Sequence, residues 1–347
     1  MKLRKIASLV VATLISIVAL SALYVFSLDL EQQPLANPNS QAKDIAFIQN
    51  PPEFRGRILA VVTSTAKSPK GDVAAGMELT ELSRAYYTFI ANGYDVHIAS
   101  PDGGRPPVVI DDDLIDVDYA FLNDAKAQEA LSKTLRLQDV DTSIYDAVYF
   151  VGGKGAMFDF PGDQHVTRIA KGIYESGGIV GAVCHGPAAL IGVNLSNGLP
   201  LLEGRSVTGF TNEEELFLIP NARDVFPFLL EDQMKASGAK FIASRMYLEN
   251  TVVDGRLITG QNPWSTWSVA EEMVRALGHE PKPRERTREE HAVELLEVYW
   301  SKGFNAAKAS AGNVEVDKRL LLMHAFIAAI QGNVRGAYHL QALAGGD

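Results

Sequence analysis

The chain has 347 residues, of which 47% are hydrophobic and 21% are charged, and these values are ordinary for a folded protein with a substantial core. Its formal net charge of −10, from 32 basic and 42 acidic residues, argues against a nucleic-acid-binding protein, which normally carries a basic face. The only cysteine, Cys184, excludes an intramolecular disulfide and any zinc site built from several thiolates.

The N-terminal segment predicts a membrane anchor. Three basic residues near the start precede residues 6–28, which contain no charge. A transmembrane helix needs about 20 apolar residues, whereas the apolar part of a secretory signal has about 7–15. We therefore expect residues 1–28 to anchor the chain in a bacterial inner membrane with its catalytic domain in the periplasm, or to be cleaved so that the domain is secreted. Residues 29–54, rich in Pro, Asn and Gln, predict a linker.

The following region alternates strand-like and helix-like segments. In chain order the pattern predicts a strand at 57–65, a helix at 77–92, strands and helices in turn at 94–100, 124–136, 145–153, 163–176 and 177–184, a strand at 205–211, at least two strands within 240–262, and a helix at 264–278. This alternation predicts an α/β fold of the flavodoxin-like, doubly wound type, in which helices sandwich a mostly parallel sheet. We expect this domain to span residues 55–280.

The last part of the chain has a different pattern. The charged and proline-containing stretch PKPRERTREE, residues 281–290, interrupts the alternation of strands and helices. Apolar-faced helical segments follow it, so residues 281–347 predict a helical C-terminal extension. No residue in this extension indicates a particular chemistry.

Cys184 lies at the end of a predicted strand, in the sequence AVCHGPAAL. Pro187 suits the first turn of a helix, so the chain is expected to turn from strand into helix at the cysteine. Ligands bind at the carboxyl ends of parallel strands, and a turn there presents its residue as a nucleophile elbow. The amides and dipole of the next helix would favour the thiolate. The alternative is a small buried core residue.

Five segments of the chain, and the order in which they occur, resemble the DJ/PfpI superfamily, within the class I glutamine amidotransferase-like fold. They are AVCHGPAAL and the stretches at 76–107, 145–161, 207–215 and 252–266, and together the resemblance covers roughly residues 55–280. The order of the motifs is most similar to the branch of heat-shock chaperones and glyoxalase III.

The resemblance implies roles for residues around the thiol. Glu81 matches the family's acidic partner of the nucleophile, with Ala85 where the family commonly has proline. Glu78, one helical turn earlier, is the rival, although it better fits a solvated helix face. Gly152 and Gly153 match the loop whose backbone amides stabilise an oxyanion.

The resemblance also implies a third catalytic member. His185 matches the histidine beside the nucleophile, which works with a downstream acid. That acid is expected at Glu215, with Glu213 and Glu214 as alternatives. The non-catalytic alternative is that all three glutamates are solvated and only favour the start of a helix.

These matches imply a cofactor-free, glyoxalase III-like lyase. It would convert 2-oxoaldehydes such as methylglyoxal into hydroxy acids through a hemithioacetal on Cys184, with Glu81 as general acid and base. The other six histidines form no metal-ligand pair at helical spacing, so no metal is expected. The expected partners are a small aldehyde, a membrane through the N-terminal helix, and a second copy in a homodimer, with no nucleic acid.

Two other functions fit the same residues. One is an envelope stress chaperone or redox sensor that uses the thiol without catalysis. The other is a PfpI-like cysteine peptidase or amidase, or a deglycase.

Overall fold

The computed structural model describes residues 30, 33–71, 73–312 and 314–345. The chain divides into two compact units. One comprises residues 36–285, and the other is formed by the described residues before and after that range.

A seven-stranded sheet forms the centre of the larger unit. In chain order the strands of this unit are β1 (Gly56–Val61), β2 (Met77–Glu78), β3 (Tyr94–Ser100), β4 (Val108–Val109), β5 (Leu135–Arg136), β6 (Ala147–Phe150), β7 (Ile179–Val183), β8 (Ser206–Val207), β9 (Lys240–Phe241), β10 (Thr251–Asp254) and β11 (Leu257–Gly260). The central sheet has the order β10-β11-β7-β6-β1-β3-β5, and β2-β4 and β8-β9 form two small parallel pairs.

The central sheet is parallel except for its edge strand β10, which runs antiparallel to β11. Strand order changes direction at β1, and the five longest parallel strands, β3-β1-β6-β7-β11, follow the flavodoxin-like order. Every residue of β6 and β7 is buried, as expected for parallel strands covered on both faces. The predicted mixed α/β fold with a mostly parallel sheet is therefore confirmed.

Helices and short turns connect the strands. The helices of this unit are α1 (Leu79–Ala91), α2 (Asp116–Asn123), α3 (Ala125–Ser132), α4 (Ala156–Asp159), α5 (Gln164–Glu175), α6 (Asn212–Leu218), α7 (Ala222–Val225), α8 (Leu230–Ala236) and α9 (Thr266–Ala276). The 3₁₀ turns lie at Ala42–Asp44, Ala46–Ile48, Leu137–Asp139, Thr142–Ile144, Gly186–Leu190 and Pro263–Ser265.

Two predicted elements differ from the structure for local reasons. The helix predicted at 124–136 corresponds to the shorter α3, and α2 is a separate helix before it that the pattern did not predict. Asp124 ends α2 and caps α3 by accepting hydrogen bonds from the amides of Lys126 and Ala127. The helix predicted after Cys184 is the 3₁₀ turn Gly186–Leu190, only five residues long.

The smaller unit is helical after residue 286. Its helices are α10 (Arg288–Lys302), α11 (Phe304–Ala311), α12 (Lys318–Ile330) and α13 (Val334–Gly345). The Thr287 side chain accepts from the amide of Glu290 and the Glu290 carboxylate accepts from the amide of Thr287, so a capping box starts α10. Gly303, with φ 86°, separates α10 from α11.

The predicted membrane anchor, residues 1–28, lies outside the described residues. Across the described part of the chain, no helix combines the length and the apolar character needed to cross a membrane.

A buried ion pair ties α1 to α2. Arg84 donates to Asp118 Oδ2 at 3.2 Å, and the two side chains are 2% and 0% exposed. Asp118 also accepts from the hydroxyl of Ser83 and from the amide of Ile115, so both of its oxygens have partners. Such a pair holds α1, and with it Glu81 in its first turn, in one position.

We expect Asp118→Ala to lower the free energy of unfolding by about 3–5 kcal/mol, because it leaves the Arg84 guanidinium buried without its carboxylate. Urea denaturation measures this change. Glu129→Ala is the matched control, since it breaks an ion pair with Lys133 whose side chains are 68% and 73% exposed, and we expect no measurable change. Equal effects of the two variants would contradict the role of the buried pair.

Candidate active site

Cys184 occupies a strained turn directly after β7. Its φ is 57°, a left-handed conformation that is costly for a residue with a Cβ. Two backbone hydrogen bonds hold it there: the Cys184 amide donates to the carbonyl of Gly260 at 3.0 Å, and the Cys184 carbonyl accepts from the amide of Phe210 at 2.9 Å. The predicted nucleophile elbow is thus present, at the carboxyl end of a central strand.

The environment of the thiol differs from the one expected. Cys184 is only 4% exposed, and burial raises its pKa well above the ordinary value, with the charge of Glu81 adding to the effect. The amide of Gly153 acts in the opposite direction. The expectation that a following helix favours the thiolate is therefore wrong, because a five-residue 3₁₀ turn has only a small dipole and burial dominates.

Glu81 lies in the first turn of α1 and is completely buried. Burial raises the pKa of its carboxyl well above the ordinary value, and the neighbouring Glu78 raises it further, whereas the interaction with Cys184 lowers it. Two acidic groups that interact this strongly do not both ionise near neutral pH. Ionisation of either group therefore disfavours ionisation of the other, and we call Cys184 and Glu81 the coupled pair.

Gly152 permits the close approach of the thiol and the carboxyl. A Cβ on Gly152 would collide with the Glu81 carboxyl and would lie 2.9 Å from the Cys184 Cβ. Gly153, with φ 90°, is equally constrained, because a Cβ there would collide with the backbone of residues 76–78. The backbone of Gly152 interacts with Glu81 and that of Gly153 with the Cys184 sulfur, so the predicted glycine pair lines the site.

His185 connects the thiol to a second carboxyl. Its Nδ1 lies 3.2 Å from Cys184 Sγ, and its Nε2 lies 2.6 Å from Glu215 Oε2. The imidazole is buried, with its ring centre 4.6 Å from that of Phe210 and 6.0 Å from that of Phe226. Among the three candidate glutamates, the structure brings Glu215 to the histidine.

The neighbours of Glu215 have other surroundings. Glu213 is exposed. Glu214 is fully buried, and its carboxylate accepts from the amide and hydroxyl of Thr211, from the amide of Tyr247, and from the side-chain amides of Gln261 and Asn262. Glu214 thus fixes the loops around α6, and the spacing of the sequence alone did not distinguish this task from pairing with His185.

Glu78 is buried, and the expectation that it lies on a solvated helix face is wrong. It is 3% exposed because it belongs to β2, which pairs with β4. Its Oε2 accepts from the amide of Asp111 at 3.0 Å. The acidic run that starts at Asp111 therefore borders the site, and the Lys154 ammonium pairs with the Asp111 carboxylate there.

Among the described residues, no group of three or more His, Cys, Asp or Glu side chains is arranged to hold a metal ion. The chemistry that the described site offers is that of a thiol, a coupled carboxyl and a histidine held by a second carboxylate. This set suits attack on a carbonyl carbon followed by proton transfer.

The chain is similar to named glyoxalases. It is 30% identical over 232 residues to "Glyoxalase 3" of Candida albicans, which covers 63% of this chain and 98% of that protein. It is 33% identical over 213 residues to "Glutathione-independent glyoxalase HSP31" of Saccharomyces cerevisiae, covering 58% of this chain and 89% of that one. The crystal structure of the Francisella tularensis Rapid Encystment Protein 24 KDa has a TM-score of 0.61 and 33% identity, and covers 65% of this chain and all of that one.

The predicted localisation, a single-pass protein of a bacterial inner membrane with a periplasmic domain, is corrected. The Candida albicans relative is matched over 98% of its length by 63% of this chain, which leaves that relative little length to correspond to the predicted anchor. Within the part of the chain that the structure describes, no membrane-spanning helix was found. The predicted membrane partner has no support for the same reason.

The model of the DJ-1/PfpI family matches residues 73–276. This range includes the glutamate-bearing start of α1, the glycine pair after β6, the cysteine elbow after β7 and the acid of α6. The resemblance inferred from the motifs is confirmed: the chain belongs to the DJ-1/PfpI family.

Proposed function

We propose that the protein is a glutathione-independent glyoxalase that converts 2-oxoaldehydes such as methylglyoxal into 2-hydroxy acids. The observation that supports this most is the coupled pair of Cys184 and Glu81, a nucleophile beside a carboxyl that can accept and return a proton. The names of the relatives support the same reaction.

The first step is addition of the Cys184 sulfur to the aldehyde carbon, C1, of the substrate. The thiol proton passes to the oxygen of C1 through His185 or Glu81, which gives a hemithioacetal. The amides of Gly152 and Gly153 lie beside the pair and would stabilise charge on that oxygen.

Glu81 then moves a proton between two carbons. Its carboxylate removes the hydrogen of C1 as a proton, and the electrons form a C1–C2 double bond while the C2 oxygen takes the negative charge, which gives an enediolate. Glu81 returns a proton to C2, and the hydroxyl proton of C1 passes to the C2 oxygen, which gives a 2-hydroxyacyl thioester on Cys184. A carboxyl with a raised pKa suits this step, because it is basic enough to take the proton and acidic enough to give it back.

The last step is hydrolysis of the thioester. His185, oriented by Glu215, removes a proton from water as it attacks the acyl carbon, and the released sulfur is protonated again. The sum of the steps is methylglyoxal plus water giving lactate. No oxidant and no glutathione enters the reaction.

A small substrate fits this site better than a peptide chain. Cys184 is 4% exposed and His185 is 3% exposed, so only a compact molecule reaches the sulfur without movement of the surrounding loops. This burial favours the glyoxalase over a peptidase that uses the same thiol.

We expect Cys184→Ala and Glu81→Gln each to lower kcat for methylglyoxal by at least about 10³-fold, because each removes a group that reacts with the substrate. Lactate formation without glutathione is measured by an enzymatic endpoint assay. Glu175→Gln is the control, since that carboxylate caps a surface loop at Ser196. Wild-type protein that turns over no 2-oxoaldehyde would refute the proposed function.

We expect Glu215→Gln to lower kcat by about 10–100-fold with little change in KM, because His185 loses its anionic partner while the thiol and Glu81 remain. Steady-state kinetics with methylglyoxal measure the effect. Glu213→Gln, a change two residues away on the same helix, should keep wild-type rates. Equal loss in both variants would contradict the assignment of Glu215.

We also propose the homodimer that the family resemblance implies. Sedimentation equilibrium should give twice the mass of the chain, and a mass equal to one chain at every concentration would exclude it.

A further inference from the structure

A third carboxyl lies beside the catalytic pair and has no role in the steps above. Glu78 is the N-cap residue of α1, and Glu81 follows it by three residues in the first turn, where the charge of Glu78 contributes to raising the pKa of Glu81. The Glu78 amide donates to the carbonyl of Gly152 at 3.4 Å. Gly152 is the residue at which a Cβ would collide with the Glu81 carboxyl. Glu78 is therefore a neighbour of the buried pair, although it is outside the reacting atoms.

Asp112 is a further carboxyl in this region, and it is closer to the surface than Glu78. The pairing of Met77 and Glu78 with Val108 and Val109 brings the acidic run alongside Glu78. Asp112 in that run is partly buried, whereas Glu78 is 3% exposed and Glu81 is 0% exposed. We call these three side chains the carboxyl row: their exposure increases from Glu81 through Glu78 to Asp112, and the charge of Asp112 acts on both glutamates.

The oxygens of the carboxyl row have an unusual property. Glu78 Oε1 and Asp112 Oδ2 are buried and have no hydrogen-bond partner among the described residues, whereas both buried oxygens of Glu81 lie beside the thiol of Cys184 and the backbone of Gly152. A buried carboxylate without donors is costly, so such groups hold protons instead. Glu78 and Asp112 therefore each have one buried oxygen without a donor among the described residues, which favours the protonated form of both carboxyls.

The acidities of the row agree with this reading. Burial raises the pKa of Glu78 to about 8, and the charge of Asp112 contributes. Burial also raises the pKa of Asp112 to about 6. The pKa of Glu81 is raised well above its ordinary value. Proton affinity thus falls from Glu78 to Asp112, toward the surface, and both groups exchange protons near neutral pH.

We propose that Glu78 is a proton-relay residue that exchanges the proton on Glu81 with solvent by way of Asp112. The inference rests on the proposed function. After Glu81 removes the hydrogen of C1, Glu78 accepts that proton and returns another, which Glu81 delivers to C2. One proton leaves and one enters, so the reaction stays balanced, and the hydrogen on C2 of the product comes from water.

Turnover in D₂O tests the relay. We expect lactate made from methylglyoxal by the wild-type protein to carry mainly deuterium at C2. Glu78→Gln keeps an oxygen for the Asp111 amide but removes the exchangeable acid, so we expect the deuterium-to-hydrogen ratio at C2, read by NMR, to fall at least fivefold while kcat changes less than threefold.

Asp111→Asn is the matched control for this experiment. It changes a carboxyl of the same loop that is 54% exposed and lies outside the carboxyl row, and it keeps the backbone amide that Glu78 accepts from. We expect a deuterium content close to that of the wild type. A wild-type product that keeps the substrate hydrogen, or an equal ratio in wild type and Glu78→Gln, would overturn the relay.

A second measurement does not depend on turnover. The infrared carbonyl band of protonated carboxyl groups shifts when deuterium replaces hydrogen, and the part that disappears in Glu81→Gln belongs to Glu81. We expect this part to exchange at least tenfold more slowly in Glu78→Gln than in the wild type after transfer into D₂O. Inactive protein with this slowing would refute the glyoxalase and keep the relay, whereas active protein without it would do the reverse.

The pH dependence of the melting temperature shows whether Glu78 holds a proton in the folded protein. A carboxyl whose pKa rises on folding stabilises the fold below its unfolded pKa, and this contribution is lost as pH increases through the folded pKa, here from about 4.5 to about 8. The charged groups around it are Asp111, Asp112 and Glu81, with Lys154 on Asp111 and Arg84 near Asp112. We expect the melting temperature to fall less between pH 5 and pH 8 in the variant than in the wild type, and an equal fall would show that Glu78 does not hold this proton.

Discussion

The site depends on placing a thiol and a carboxyl together where water does not reach them. Separately, each group in such a place would be costly to ionise, and together they exclude a double negative charge. The proton that remains between Cys184 and Glu81 is what the proposed reaction moves. Burial thus supplies the catalytic property, whereas a surface thiol with a nearby carboxylate would leave both groups near their ordinary acidity.

The backbone maintains this arrangement against its own preferences. Cys184 keeps a left-handed φ because Gly260 of β11 binds its amide and Phe210, in the loop before α6, binds its carbonyl, and Gly152 leaves the space that any Cβ would fill. The Arg84–Asp118 pair anchors the helix that carries Glu81. The strain is confined to Cys184, and the packing and hydrogen bonds of the parallel sheet around β7 compensate for its cost, as is common where a fold holds a reactive side chain in position.

The sequence predicted the parts of this site that depend on local pattern. The buried strands, the elbow after β7 and the glutamate of α1 follow from apolar runs, turn residues and motif order, and the structure places Cys184, His185 and Glu81 together as expected. Glu215 was separable from Glu214 only in three dimensions, because one helical step decides which carboxyl meets His185 and which meets Tyr247, Gln261 and Asn262. Burial was the property that sequence reasoning missed. The buried position of Glu78 depends on the two-residue strands β2 and β4, which are too short to leave a periodic signal.

The same pairing of β2 with β4 gives the enclosed site the proposed path for protons. A fully enclosed pair would have to pass one proton back and forth without loss, and any proton that left would be replaced only slowly through apolar packing. By bringing the acidic run against Glu78, the fold gives the enclosed pair a route of increasing acidity to the surface while keeping bulk water away from the sulfur. Exclusion of water and exchange of protons are then compatible, because carboxyl groups transmit a proton without opening a channel.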